Sequence, residues 1–175
     1  MSSELIKTLL NLPKHNVGSL NNWSKNLLNQ GAVVDTADMD NYCLGELGFS
    51  EDGERIVKPL TASNKKGVLV ASVEDYMGEY EGMSQFFNAV GERARVVYQT
   101  VGHRFECSNF VGENTGKPIK KGQVAHYDHE TKKFIVSNNG SNHASYDEAS
   151  NKYVVVDVPD YLLDGQAVVR FEITE

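Results

Sequence analysis

Two cysteines, four prolines and one tryptophan in 175 residues leave several protein classes without their usual materials. Cys43 and Cys107 are too few and too far apart in sequence for a metal-binding spacing or a disulfide framework. Both thiols are expected to stay free in a reducing cytoplasm. The scarcity of proline excludes a proline-rich linker, whereas fifteen glycines point to many turns. No apolar run approaches the length of a membrane span, and the first residues lack the basic-then-apolar order of a secretory signal. No membrane partner is expected.

Positive charge is also short. Seventeen Lys and Arg face twenty-four Asp and Glu, a formal charge of −7, so nucleic-acid phosphates would be repelled and no nucleic-acid partner is expected. Nucleotide and hydrolase signatures are missing: there is no phosphate-binding glycine loop, no dinucleotide fingerprint and no G-x-S-x-G elbow. No internal repeat, heptad or low-complexity tract is visible in the sequence. Asp35, Asp38 and Asp40 lack the glycine and terminal glutamate that a calcium loop needs at fixed offsets. His126 and Asp128 share one strand face, but a cupin-like metal site wants two histidines, and His129 falls in the turn. His126 is therefore read as part of a solvent-facing polar strand. No catalytic residue, metal ligand or cofactor is assigned.

What is present is strand. Residues 117–137, KPIKKGQVAHYDHETKKFIVS, read as a loop delivering the chain into a β-hairpin with a polar turn over residues 128–133. Asp52-Gly53 marks a second hairpin between residues 42–49 and 55–60. Residues 68–73 suit a buried strand, residues 92–100 alternate in polarity, and residues 153–158 form a strand ended by Pro159. Val169, Phe171 and Ile173 put every second residue of the last strand on one face. The expected fold is mainly β, an antiparallel β-barrel or sandwich with short helical insertions, one of them near Ser84, and a partly helical N-terminal arm.

Three regions follow: an arm at 1–40, a β-hairpin and connector at 41–66, and a β-barrel domain at 67–175. Leu5, Ile6, Leu9 and Leu10 are spaced for one amphipathic helix, and Leu20, Trp23, Leu27 and Leu28 for a second that stops at Gly31. Leu5, Leu9, Trp23 and Leu27 are the expected anchors of an arm that docks on a neighbour. Arg93, Arg95, Arg104, Lys117, Lys120, Lys121, Lys132 and Lys133 gather eight of the seventeen Lys and Arg in the middle of the chain. That gives a net-acidic protein one basic face suited to an acidic protein surface, with Lys120 and Lys121 as partner-binding residues.

The order of the segments GELGFSEDGERIVKPL (45–60), VGERARVVYQTVGHRFECSNF (90–110), KKGQVAHYDHETKKFIV (120–136) and VVRFEI (168–173) resembles structural proteins of tailed-phage head modules, of the head decoration or minor capsid kind. The resemblance covers most of residues 45–175 and rests on strands and turns. It implies a non-enzymatic protein that binds and reinforces an assembled phage capsid. The implied partners are the major capsid protein and neighbouring copies of the chain itself. The implied location is the virion head surface, after synthesis in the host cytoplasm. A tail, neck or fibre component is the first alternative, and a metal-dependent barrel enzyme or small-molecule binder the second.

Overall fold

The computed structural model of the chain describes residues 14–20, 27–74, 82–114 and 116–175. Strand β1 is Gly18–Leu20. A first sheet takes β2 (Ala32–Val34), β3 (Leu44–Phe49), β4 (Arg55–Pro59), β5 (Val68–Val70), β6 (Arg93–Ala94) and β7 (Val96–Val97), in the spatial order β6-β2-β4-β3-β5-β7. Only Arg95 separates β6 from β7, so one chain segment supplies both ends of this sheet and nearly closes it into a barrel.

The second sheet closes in the same manner. It contains β8 (Arg104–Cys107), β9 (Phe110–Gly112), β10 (Val124–Asp128), β11 (Lys133–Val136), β12 (Lys152–Asp157) and β15 (Val169–Ile173), with β1 added outside β8, in the order β1-β8-β15-β12-β10-β11-β9. Ser108 and Asn109 link β8 to β9, which again join the two ends. A small hairpin, β13 (Leu162–Leu163) and β14 (Gln166–Ala167), lies outside both sheets.

With β6/β7 and β8/β9 each counted as one segment, the two barrels have the same connectivity. In each, the first segment pairs in parallel with the third and antiparallel with the fifth; the second pairs with the third and fourth; the fourth pairs with the fifth. The repetition lies in pairing order and not in residue identity, which is why the sequence shows no repeat. The two interiors differ in size. Ala32, Val34, Val57, Val68, Val70, Ala94 and Val96 fill the first barrel. Aromatic rings fill the second: Phe134 stacks edge-on against Tyr153 at 5.0 Å between centroids, and Phe105 lies 5.4 Å from Phe134. Alternation puts these groups inside, with Val169, Phe171 and Ile173 buried while Arg170 and Glu172 turn outward.

The same alternation joins the barrels. Leu44, Leu69 and Val97 point out of the first barrel and enter the aromatic core of the second. Buried amides then tie backbone to backbone. Asn151 accepts from Gly67 N–H (2.9 Å) and donates to Lys65 C=O (2.6 Å), with Gln99 bridging both at 2.9 Å to Gly67 C=O and 3.1 Å to Asn151 Oδ1. Asn109 does the same work at the carbonyl of Tyr42. Each such group would cost about 1–3 kcal/mol if left buried without a partner, so the bonds define one relative orientation.

The helical arm is corrected where the chain is described. Leu20 lies in β1 opposite Phe105. Leu27 makes an antiparallel bridge to Val97, Leu28 N–H donates to Val96 C=O (2.9 Å), and Gln30 and Gly31 turn with φ of 64° and 65°. An isolated helix of this length is marginal, and the open edges of β8 and β7 offer backbone partners instead. Leu5, Leu9 and Trp23 lie outside the described residues. The insertion expected near Ser84 is a single 3-10 turn, Met83–Gln85.

Candidate partner-docking face

The chain between β9 and β10 forms a loop at one end of the second barrel. Gly122 takes a left-handed φ of 85° and donates its N–H to Val155 C=O (2.8 Å), which turns the chain into β10. Ile119 is half-buried against the aromatic core. The loop is thus pinned at its centre and its end, and it carries Lys117, Lys120 and Lys121 outward on a fixed base.

Two troughs flank this loop. The smaller, about 170 Å³, has a mixed lining that includes Glu113, Lys120, Gln123 and Asn138 beside Ile119 and Val136. The wider, about 400 Å³, has an apolar floor of Phe110, Val111, Ile119, Val158, Pro159 and Ala167, with Lys117 on its rim. Val158 is 38% exposed, and beyond it Leu162 is 61% exposed on the small hairpin.

The lysines have different electrostatic roles. Lys121 Nζ pairs with Asp157 at 2.6 Å, and this hydrogen-bonded ammonium holds the Asp157 carboxyl below the usual carboxylate range. Asp157 also faces Arg170 (3.5 Å), which binds the buried carboxylate of Glu106 at 2.9 Å while Tyr161 donates its hydroxyl to the same group at 2.7 Å. Lys121 is therefore the outer end of a charge ladder across β12, β15 and β8. Lys117 and Lys120 are exposed and form no ion pair with a described residue.

Of the partner-binding residues expected from sequence, Lys120 and Lys121 fall together on this face. Leu27 does not join them: it packs against the core beside Val97. Sequence reasoning missed Phe110, Ile119 and Val158, because an apolar trough floor looks like ordinary strand and loop until the loop is placed.

His126 is not solvent-facing. It has no exposed surface and lies outside the barrel wall beneath residues 137–150. Its Nε2 is 3.2 Å from Ser145 Oγ, which lies 2.8 Å from His143 Nδ1, and the two rings are 5.1 Å apart. Burial, and then the neighbouring His143, lower its pKa to about 4, with Asp128 and Glu113 pulling weakly the other way. The neutral ring bridges wall and covering loop. Alternation correctly sent it outward from the barrel, but the long loop over it could not be placed from sequence.

A cleft of about 320 Å³ between the barrels is lined by Lys14, Lys132, Lys133, Asp38, Asp40 and Cys43, among others. Its carboxylates are engaged, Asp40 with His15 (2.6 Å) and Asp38 with Val90 N–H (2.9 Å). Burial, reinforced by Asp40, pushes the Cys43 thiol up to about 12, so it is not an activated thiolate. Among the described residues, no three of His, Cys, Asp and Glu converge where they could hold a metal ion.

The profile of a family described as YonC prophage protein matches residues 11–174. The SPbeta prophage-derived uncharacterized protein YonC of Bacillus subtilis (strain 168) is 41% identical over 180 aligned residues, spanning 100% of this chain and 99% of that protein. The chain therefore belongs to the YonC prophage protein family. No solved structure matches it significantly.

Proposed function

We propose that this prophage-encoded double barrel is a non-enzymatic structural protein of the phage particle, seated on the assembled head, where the face around Lys117, Lys120 and Lys121 binds the major capsid protein. The observation that carries the reading is a pair of lysines without ionic partners among the described residues, Lys117 lining an apolar trough and Lys120 the smaller trough beside it, on the rigid end of a protein from a prophage family. Apolar contact supplies the area, and the ammonium groups select an acidic surface. An assembled shell repeats one surface in symmetric array, so an interface of about 1,200–2,000 Å² per site strengthens the whole lattice. The stapled barrels suit such a role, because a subunit that braces a shell must not flex between its halves.

Particles purified after prophage induction, imaged with a labelled copy of the chain, test the reading. Many symmetric copies on the head support it. A single ring at the vertex or along the tail moves the protein to the neck or tail, and absence from particles overturns the virion role.

A further inference from the structure

Among the described residues, strand β9 is the outermost member of its sheet and pairs only with β11. Along any strand the N–H and C=O of one residue point to one side, and those of the next to the other. Asn109 C=O accepts from Phe134 N–H (3.1 Å) and Glu113 N–H donates to Val136 C=O (2.9 Å), so residues 109, 111 and 113 face β11. Phe110 and Gly112 therefore face away from it. Phe110 N–H donates to Ser108 C=O (2.9 Å), while the register with β11 turns Phe110 C=O and both polar groups of Gly112 toward the side of β9 that no described strand pairs with. A strand edge of this kind is a template for another chain.

The edge opens into the wider trough. Cys107 is the last residue of its segment paired to β15, opposite Val169. Beyond it β9 leaves toward β11, and the seam between β9 and residues 167–169 is the gap whose floor is Phe110, Ile119, Val158 and Pro159. Gly112 has no side chain over that floor, and a Cβ there would sit in ordinary contact with Asn114 C=O and Ile119, each at 3.8 Å.

We propose that the trough takes an extended segment of a partner protein as an added β-strand along the free edge of β9, with alternate apolar side chains in the trough and carboxylates near Lys117 and Lys120. The proposal rests on the docking reading of this face and specifies how the partner is held. Backbone bonds to Phe110 and Gly112 give affinity, while the trough and rim give specificity. The chain as a whole is acidic, but screening over about 10 Å leaves Lys117 on the rim and Lys120 on the adjoining loop to set the local field.

The test is photo-crosslinking in phage-producing cells, with p-benzoylphenylalanine replacing Ile119 in the full chain and Val101 as control. The crosslinked peptide is mapped and synthesised, and its binding to the purified chain is measured together with hydrogen exchange. The expected adduct from position 119, absent at position 101, is a segment of alternating apolar residues bearing at least two carboxylates. Binding should protect the Gly112 amide. Gly112→Val, whose backbone is outside the left-handed region, should weaken binding at least tenfold, and K117E with K120E should weaken it and flatten its salt dependence. Should Gly112→Val not fold, protection at Gly112 in the unaltered chain decides. An adduct to a second copy of the chain, to a helical segment or to nucleic acid overturns the proposal, as does no adduct or binding without protection. Particles that carry the protein but give no adduct from position 119 would sink strand addition alone. A protected, acidic strand from a protein outside the particle would sink the virion reading alone.

Discussion

The side-chain amide of Asn109 donates to the carbonyl of Tyr42 at 2.8 Å, and the same nitrogen reaches the carbonyl of Lys132 at 2.9 Å. Both acceptors are non-glycine residues in the left-handed region, with φ of 58° and 56°. One belongs to the first barrel's approach to β3 and the other to the turn before β11, so a single amide fixes two unfavourable backbone turns and joins two barrels. Asn109→Ala takes the amide donor from the Tyr42 carbonyl and leaves the Lys132 carbonyl only the weak Cys43 thiol at 3.8 Å, in a region water barely reaches, Asn109 being 2% exposed. The expected loss is roughly 2–3 kcal/mol, read from urea unfolding. A loss below about 0.5 kcal/mol would mean that water replaces the amide and that the staple carries little weight.

Lys132 itself offers a change in the opposite direction. Its side chain is exposed and only its backbone is engaged. A left-handed conformation costs a side-chain-bearing residue about 1–2 kcal/mol, partly offset by the greater unfolded-state freedom of glycine. Lys132→Gly should therefore stabilise the protein by about 0.5 kcal/mol and raise its melting temperature. Destabilisation would show that the lysine stem packs more than its exposure indicates.

Much of the second barrel was legible in the sequence because its strands announce themselves locally. Val169, Phe171 and Ile173 alternate with Arg170 and Glu172, and the 117–137 hairpin has a polar turn of the right length. Closure of the rings was not legible. It depends on Arg95 and on Ser108-Asn109 bending continuous segments between two neighbours, and nothing in those residues marks a bend. Leu20 and Leu27, expected in one helix, instead pair with strand edges where they are described, because apolar spacing was read without knowing that Phe105 and Val97 stood on open edges nearby. At the candidate face, Lys120 and Lys121 were visible as charge, whereas the trough beside them exists only after residues 158 and 119 meet.

Buried His126 sets a pH window. Its pKa in the folded chain is lowered from 6.5 to about 4. The unfolded chain thus takes up the proton first, and stability falls as pH drops from 6.5 toward 4, then levels off with respect to this group. The full displacement corresponds to about 3 kcal/mol. His143, Asp128, Glu113, Ser145 and Tyr146 surround the ring, and all remain in His126→Gln, so subtracting the two stability curves isolates the one titration. A separate loss at lower pH comes from Glu46. Burial opposes its ionisation, but hydrogen bonds from Thr61 and Lys65 hold its carboxyl at about 2, so stability is lost as pH falls from 4.5 through 2. If the His126→Gln difference curve is flat between pH 6.5 and 4, the buried neutral ring is the wrong description.

The charge ladder behind the docking face distinguishes stabilisation from mere occupancy. Glu106 is 3% exposed and depends on Arg170 and Tyr161 for its hydrogen bonds. Arg170→Met leaves a buried carboxylate with only the tyrosine hydroxyl, and frees Asp157 to interact with Lys121 alone. Breaking a buried pair from one side costs about 3–5 kcal/mol, reduced here to about 2–3 because Arg170 is partly exposed. Replacing both partners removes the stranded charge, so Glu106→Met with Arg170→Met should be more stable than Arg170→Met alone. A double variant less stable than either single one would show that the ladder contributes net stability, with Lys121 and the loop it anchors depending on it.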